Sequence, residues 1–124
     1  MSFEAIEKWF SGIPKAERNM PVIPYEGQTL TPLQIYDMAR NGTLPADLQR
    51  KIEMRQFTTA EEIYKLGVER VKSYLESAPP NLTIYVGTKP YTLKQMLEEV
   101  EKGSAVGRAF VEAEIRKWER LYRD

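Results

Sequence analysis

The second half of this chain reads like its first, and that constrains the fold more than any other feature. TPLQIYDMARNGT, residues 31–43, lies beside TLKQMLEEVEKGS, residues 92–104, at an offset of 61 positions. Thr31 then meets Thr92, Gln34 meets Gln95, Gly42 meets Gly103 and Thr43 meets Ser104. The offset continues from residues 52–57 to 113–118, while residues 25–27 meet 85–87 at an offset of 60 and residues 2–9 meet 59–66 at 57. A fixed internal period sets the architecture before any local motif does. The expected fold is mainly α with a small two-stranded β element, an α+β arrangement. It is built as two tandem pseudo-symmetric helix-strand-helix-helix repeats, about 1–57 and 58–124, packed as one domain over 1–124. A chain of 124 residues can bury a core of its own without a metal or disulfide staple.

Each unit carries the same local signals. Phe3, Ile6, Trp9, Phe10 and Ile13 recur at helical spacing after Ser2, which can cap the start, and Gly12 and Pro14 interrupt the helix. Its counterpart opens on a capping box, Thr58 with Glu61 or Thr59 with Glu62, and is longer. There Ala60, Ile63, Tyr64, Gly67, Val68, Val71, Tyr74 and Leu75 form the expected apolar stripe, with Gly67 allowing another helix to approach. Residues 21–25 and 82–86 favour extended chain, and Pro21 and Pro24 suit the first only to an edge or irregular strand. Under a pseudo-twofold the two strands would pair with each other. Thr31 and Thr92 sit at N-cap positions, and Gly42 and Gly103 at left-handed positions that end the same helices. Thr43 and Ser104 are then expected to cap the helices that follow.

Composition narrows the chemistry. Lys plus Arg and Asp plus Glu are both 18, without the basic excess of a general nucleic-acid binder. There is no cysteine and no histidine, which removes thiolate chemistry, the commonest general base and the commonest transition-metal ligand. No phosphate-binding glycine loop, nucleophile elbow or EF-hand loop is legible, so no cofactor, catalytic residue or metal ligand is assigned. Richness in Glu, Lys and Arg without Cys suits a thermophile's protein, and ordinary drift in a short chain explains it equally. The acidic N-terminal stretch does not read as a secretory signal and no apolar run approaches a membrane span, so a cytoplasmic address and no membrane partner are expected.

The last helix, about residues 104–122, is apolar on two sides. Val106, Phe110 and Ala113 form one face; Val111, Ile115, Trp118 and Tyr122 form another. A helix apolar on two sides is either central to the fold or offers one side to a partner. The second face is therefore the candidate partner site. The leading function is a non-enzymatic protein–protein interaction module: a small adaptor, an inhibitor or a subunit that meets a protein partner or itself. The alternative is a nucleic-acid-binding regulator using a helix-turn-helix-like corner at 31–53, with Gln49, Arg50 and Lys51 projecting from its second helix. A carboxylate- or metal-dependent hydrolase has the least support. Tyr25/Tyr85, Gln34/Gln95, Glu53/Glu114 and Arg55/Arg116 are the polar residues common to both copies, and a structural network is their favoured role.

Overall fold

The structure is a computed structural model and describes residues 3–123. In those residues the chain runs α1 (Phe3–Ser11), a single 3-10 turn (Lys15–Glu17), β1 (Ile23–Tyr25), β2 (Gln28–Leu30), α2 (Pro32–Arg40), α3 (Ala46–Glu53), α4 (Ala60–Ser77), β3 (Thr83–Val86), β4 (Lys89–Thr92), α5 (Leu93–Lys102) and α6 (Ala105–Tyr122). The fold is mainly helical with two small antiparallel sheets. No helix among these residues is long and apolar enough to cross a membrane. The expected Ser2 cap lies outside the described residues.

The expected pairing of the two strands across a pseudo-twofold is not what forms. Each strand instead folds back on its immediate successor: Ile23 pairs with Leu30 and Tyr25 with Gln28, while Ile84 pairs with Tyr91 and Val86 with Lys89. Two-residue loops make this local closure cheap in chain entropy. Glu26 and Gly27 both have positive φ, 47° and 78°, which is the type I′ pattern. In the second loop only Gly87 is positive, at 63°, the type II′ pattern. Read through these loops, Tyr25 occupies the place of Val86. The sequence pairing of Tyr25 with Tyr85 is one residue out of step.

The helix caps follow the local signals. Thr31 accepts from the Gln34 backbone while the Gln34 side chain accepts from the Thr31 N–H. Thr92 and Gln95 close the same reciprocal box, as do Thr59 and Glu62 at the start of α4. Gly103 ends α5 in the left-handed region, and Ser104 caps α6 by accepting from the Gly107 N–H at 3.1 Å. The first corner departs from this plan. Thr43 turns its hydroxyl back to the Met38 carbonyl, as Ser104 does to that of Glu99, but it caps no following helix, and α3 starts only after Pro45. Pro45 keeps Leu44 out of the helical region, so the chain travels two more residues before it can coil.

Two apolar clusters make up the core. One holds Ile6, Ile13, Val22, Ile23, Leu30, Ile35, Leu48, Ile52 and Phe57 from the first half, with Leu66, Trp118 and Tyr122 from α4 and α6. The other holds Val71, Leu75, Tyr91, Met96, Val100 and Val111. The long helices α4 and α6 lie against each other and run through both clusters. Gly67 permits that approach, because a Cβ there would come within 2.6 Å of the Ile115 side chain. The buried face of α4 keeps Gly67, Val71 and Leu75 of the expected stripe and adds Leu66 and Arg70, whereas Tyr64 and Tyr74 are exposed.

The α5–α6 corner is tighter still. A Cβ on Gly107 would drive into the Glu99 carbonyl and lie 2.7 Å from the Val100 nitrogen. Backbone cannot yield as a flexible side chain can. Gly107→Ala is therefore expected to lower stability by about 1–3 kcal/mol, the usual cost of overpacking. Chemical denaturation would show it as a reduced midpoint, and an unchanged midpoint would refute this account of the corner.

Candidate functional site

The second apolar face of α6 lies inside the molecule. Val111 and Trp118 are fully buried, Tyr122 is 3% exposed, and Ile115 is partly buried against α4. Phe57 packs edge-on to Trp118 and Tyr122, with ring centroids 6.2 and 6.1 Å away. The face expected to meet a partner instead meets α4 and the first half of the chain. The amphipathic signal was real, and its occupant is internal.

Between the two clusters lies a charged knot. Arg70, wholly buried, donates from Nη2 to both Glu17 carboxylate oxygens at 2.8 and 2.9 Å. It also donates to Glu114 at 3.0 and 3.2 Å and, through Nη1, to the Pro21 carbonyl at 2.9 Å. Tyr122 donates its hydroxyl to Glu17 at 2.9 Å, and Lys117 stands 3.7 Å from the same carboxylate. Burial first, and the Glu17 charge second, push the Tyr122 phenol well above its ordinary range, so it remains a donor. The neighbouring Trp118 indole donates to the Val22 carbonyl at 3.0 Å. Every donor here has a protein acceptor, and no buried side-chain polar atom among the described residues lacks a partner. The knot therefore acts as a clasp holding the 3-10 turn and the strand approach to α4 and α6.

The repeated polar residues do not share one environment. Gln34 and Gln95 both serve capping boxes. Glu114 belongs to the clasp, whereas Glu53 is exposed. Arg116 lies within α6, whereas Arg55 follows α3 with φ at 54°, in the left-handed region. Tyr25 donates to Asp47 at 2.8 Å, whereas Tyr85 is 68% exposed.

The nucleic-acid candidates lie on α3, with Gln49 half-buried and Arg50 and Lys51 exposed. The Lys51 ammonium sits 5.7 Å from the centroid of the Tyr25 ring, above the Tyr25–Asp47 pair. Hydrogen bonding to Asp47 raises the Tyr25 pKa to about 12, and the same bond lowers that of Asp47. Among the described residues there is no group of three or more Asp or Glu side chains placed to hold a metal ion.

An open apolar concavity was not legible in the sequence. Residues of α1, the end of α3 and the end of α6 enclose a groove of about 510 Å³. Ile6, Ile13 and Ile52 form its buried floor, Trp9 and the 38%-exposed Leu121 its walls, and Lys8, Glu53 and Arg55 its charged rim. These residues come from distant parts of the chain, so no spacing announces them. Compared with known proteins, the chain matches no family model, no curated sequence and no solved structure.

Two outcomes test the clasp and the Tyr25 pair. Arg70→Ala strands the Glu17 and Glu114 carboxylates and is expected to cost about 3–5 kcal/mol, measured by denaturant unfolding. A loss below about 1 kcal/mol would mean that the clasp is not a structural centre. Tyr25 should ionise near pH 12, and Asp47→Asn should return it towards the ordinary value of 10.0. The sign follows from a folded pKa raised above the unfolded one: the hydrogen bond stabilises fully below the unfolded tyrosine pKa and is lost as pH rises through about 12. Ultraviolet titration of Tyr25 against the variant reads this directly.

Proposed function

We propose that the chain is a non-enzymatic protein–protein interaction module, built from a duplicated helix-hairpin-helix-helix unit, that captures a short apolar segment of another protein in the groove between α1, α3 and α6. The carrying observation is the groove itself, which joins an isoleucine floor and the ring of Trp9 to an exposed leucine and a charged rim. Interaction sites commonly combine an apolar, aromatic-containing centre with a polar surround. Arg55 adds a second support. A side chain held at φ 54° is strained, and strain of this kind gathers at binding sites. At this C-terminal helix position glycine would be relaxed.

The duplication is supported by the common element order, by matching hairpin registers at an offset of 61, and by capping boxes at Thr31 and Thr92. Divergence concentrates in the flanking helices. α1 and α3 have 9 and 8 residues where α4 and α6 each have 18. On this reading the short pair leaves the groove open, and the long pair builds the clasp.

A displayed peptide library selected on the wild-type chain tests the proposal, with Leu121→Glu as the counter-selection. Apolar peptides that bind the wild type, perturb Trp9 fluorescence and fail to bind Leu121→Glu are the expected result. Arg55→Gly should hold or raise the melting temperature while weakening the same peptides. Selected peptides that bind Leu121→Glu equally well would overturn the groove as the site.

A further inference from the structure

We propose that the outer edge of β3 pairs antiparallel with β3 of a second copy of this chain, making a four-stranded sheet across a twofold axis. The argument concerns which backbone groups are left over. In a hairpin closed by a two-residue loop, the pair flanking the loop is hydrogen-bonded and the next pair is not. Val86 and Lys89 flank the second loop, so Tyr85 pairs with Pro90, and Thr83 with Thr92, at non-hydrogen-bonded positions. At such positions the N–H and C=O groups point away from the partner strand. Thr83 and Tyr85 thus turn two donors and two acceptors outward from β3, and no backbone hydrogen bond receives them.

The edges of β4 and β1 are closed, and β2 turns outward a single half-buried residue, Thr29, whose side chain is tied to Glu69 on α4. On β4, Pro90 has no N–H to offer, and the outward Thr92 N–H donates to the Gln95 side chain at 2.9 Å. On β1, Pro24 stands at the outward position, and the approach to the strand is tied down through the Pro21 and Val22 carbonyls by Arg70 and Trp118. Edges are ordinarily blunted by shortness, by proline, by charge or by cover. β3 has only its shortness, with no proline, no charge and no covering element.

A second copy fits this edge for two reasons. Under a twofold that sets Thr83 opposite Tyr85 of the other copy, the outward donors and acceptors are self-complementary. β3 also carries no charged residue and the chain has a formal net charge of zero, so like-charge repulsion does not oppose the approach. Tyr85, the most exposed large apolar side chain among the described residues, then gains a cross-strand neighbour. Strands of four residues bury little area, so the association belongs to the weak, concentration-dependent class.

Light scattering with the full chain, from micromolar concentration up to about 1 mM, is the test. The expected mass rises from 14.4 kDa towards twice that value. The Tyr85→Pro variant removes one outward donor at a position where the hairpin needs none, and Tyr85→Lys charges the edge. Both should stay at 14.4 kDa with wild-type circular dichroism. Leu121→Glu should still associate, which separates this edge from the groove. Exchange of the Thr83 amide should slow with concentration in the wild type alone. A wild type that remains monomeric throughout, binding of an added extended peptide without mass doubling, or association unchanged in both Tyr85 variants would each overturn the proposal.

Discussion

A guanidinium with no exposure to water dictates much of this structure. Arg70 cannot shed its charge, so its place in the interior requires acceptors on every side. Glu17, Glu114 and the Pro21 carbonyl supply them, and these come from the 3-10 turn, the strand approach just after it and the distant α6. The 3-10 turn must present Glu17 inward, the strand approach must pass close to α4, and α6 must lie in the register that brings Glu114 and Tyr122 to the same point. An apolar contact tolerates sliding, whereas a guanidinium hydrogen-bonded in this way does not. We therefore read the clasp as fixing the arrangement of the halves, with its net contribution to stability smaller than the cost of breaking it.

The two hairpins show how one local motif can have two fates. Thr29 of the first donates to Glu69 on α4, and Tyr25 donates to Asp47 on α3, so helices hold that ribbon on both sides. The second ribbon lays Ile84 and Tyr91 on α5 and the second cluster, and leaves Tyr85 and Pro90 outward. The sequence difference is small. Proline stands in the first strand of one hairpin and in the second strand of the other, and that exchange decides which edge keeps its donors.

What could be read from sequence was what closes within a few residues. The Thr31 and Thr92 caps, the Gly103 stop and the Ser104 cap depend on neighbours three or four positions away. Gly67 was readable as a close helix approach because a glycine inside an apolar stripe has few other uses. Arg70 and Glu17 escaped notice because a charged residue on a helix ordinarily faces water, and nothing local marks these two as the exception. The same blindness left Leu66 and Arg70 out of the α4 stripe and put the exposed Tyr64 and Tyr74 into it. The periodicity of α6 was correct while the identity of what covered it was not, since a helical pattern records that a face is buried and is silent on the partner. The groove at Trp9 and Leu121 assembles residues from both ends of the chain, which lies beyond any windowed pattern.

The passage of α4 and α6 through both apolar clusters has a dynamic consequence. Neither cluster can open alone, because withdrawing Trp118 and Tyr122 from the first pulls on the helix that carries Val111 in the second. The slowest amides to exchange with solvent should therefore form one continuous set along these two helices, released only by global unfolding. The second hairpin lies outside that set, joined to it through one face. It can fray on a faster timescale while the rest of the molecule keeps its shape.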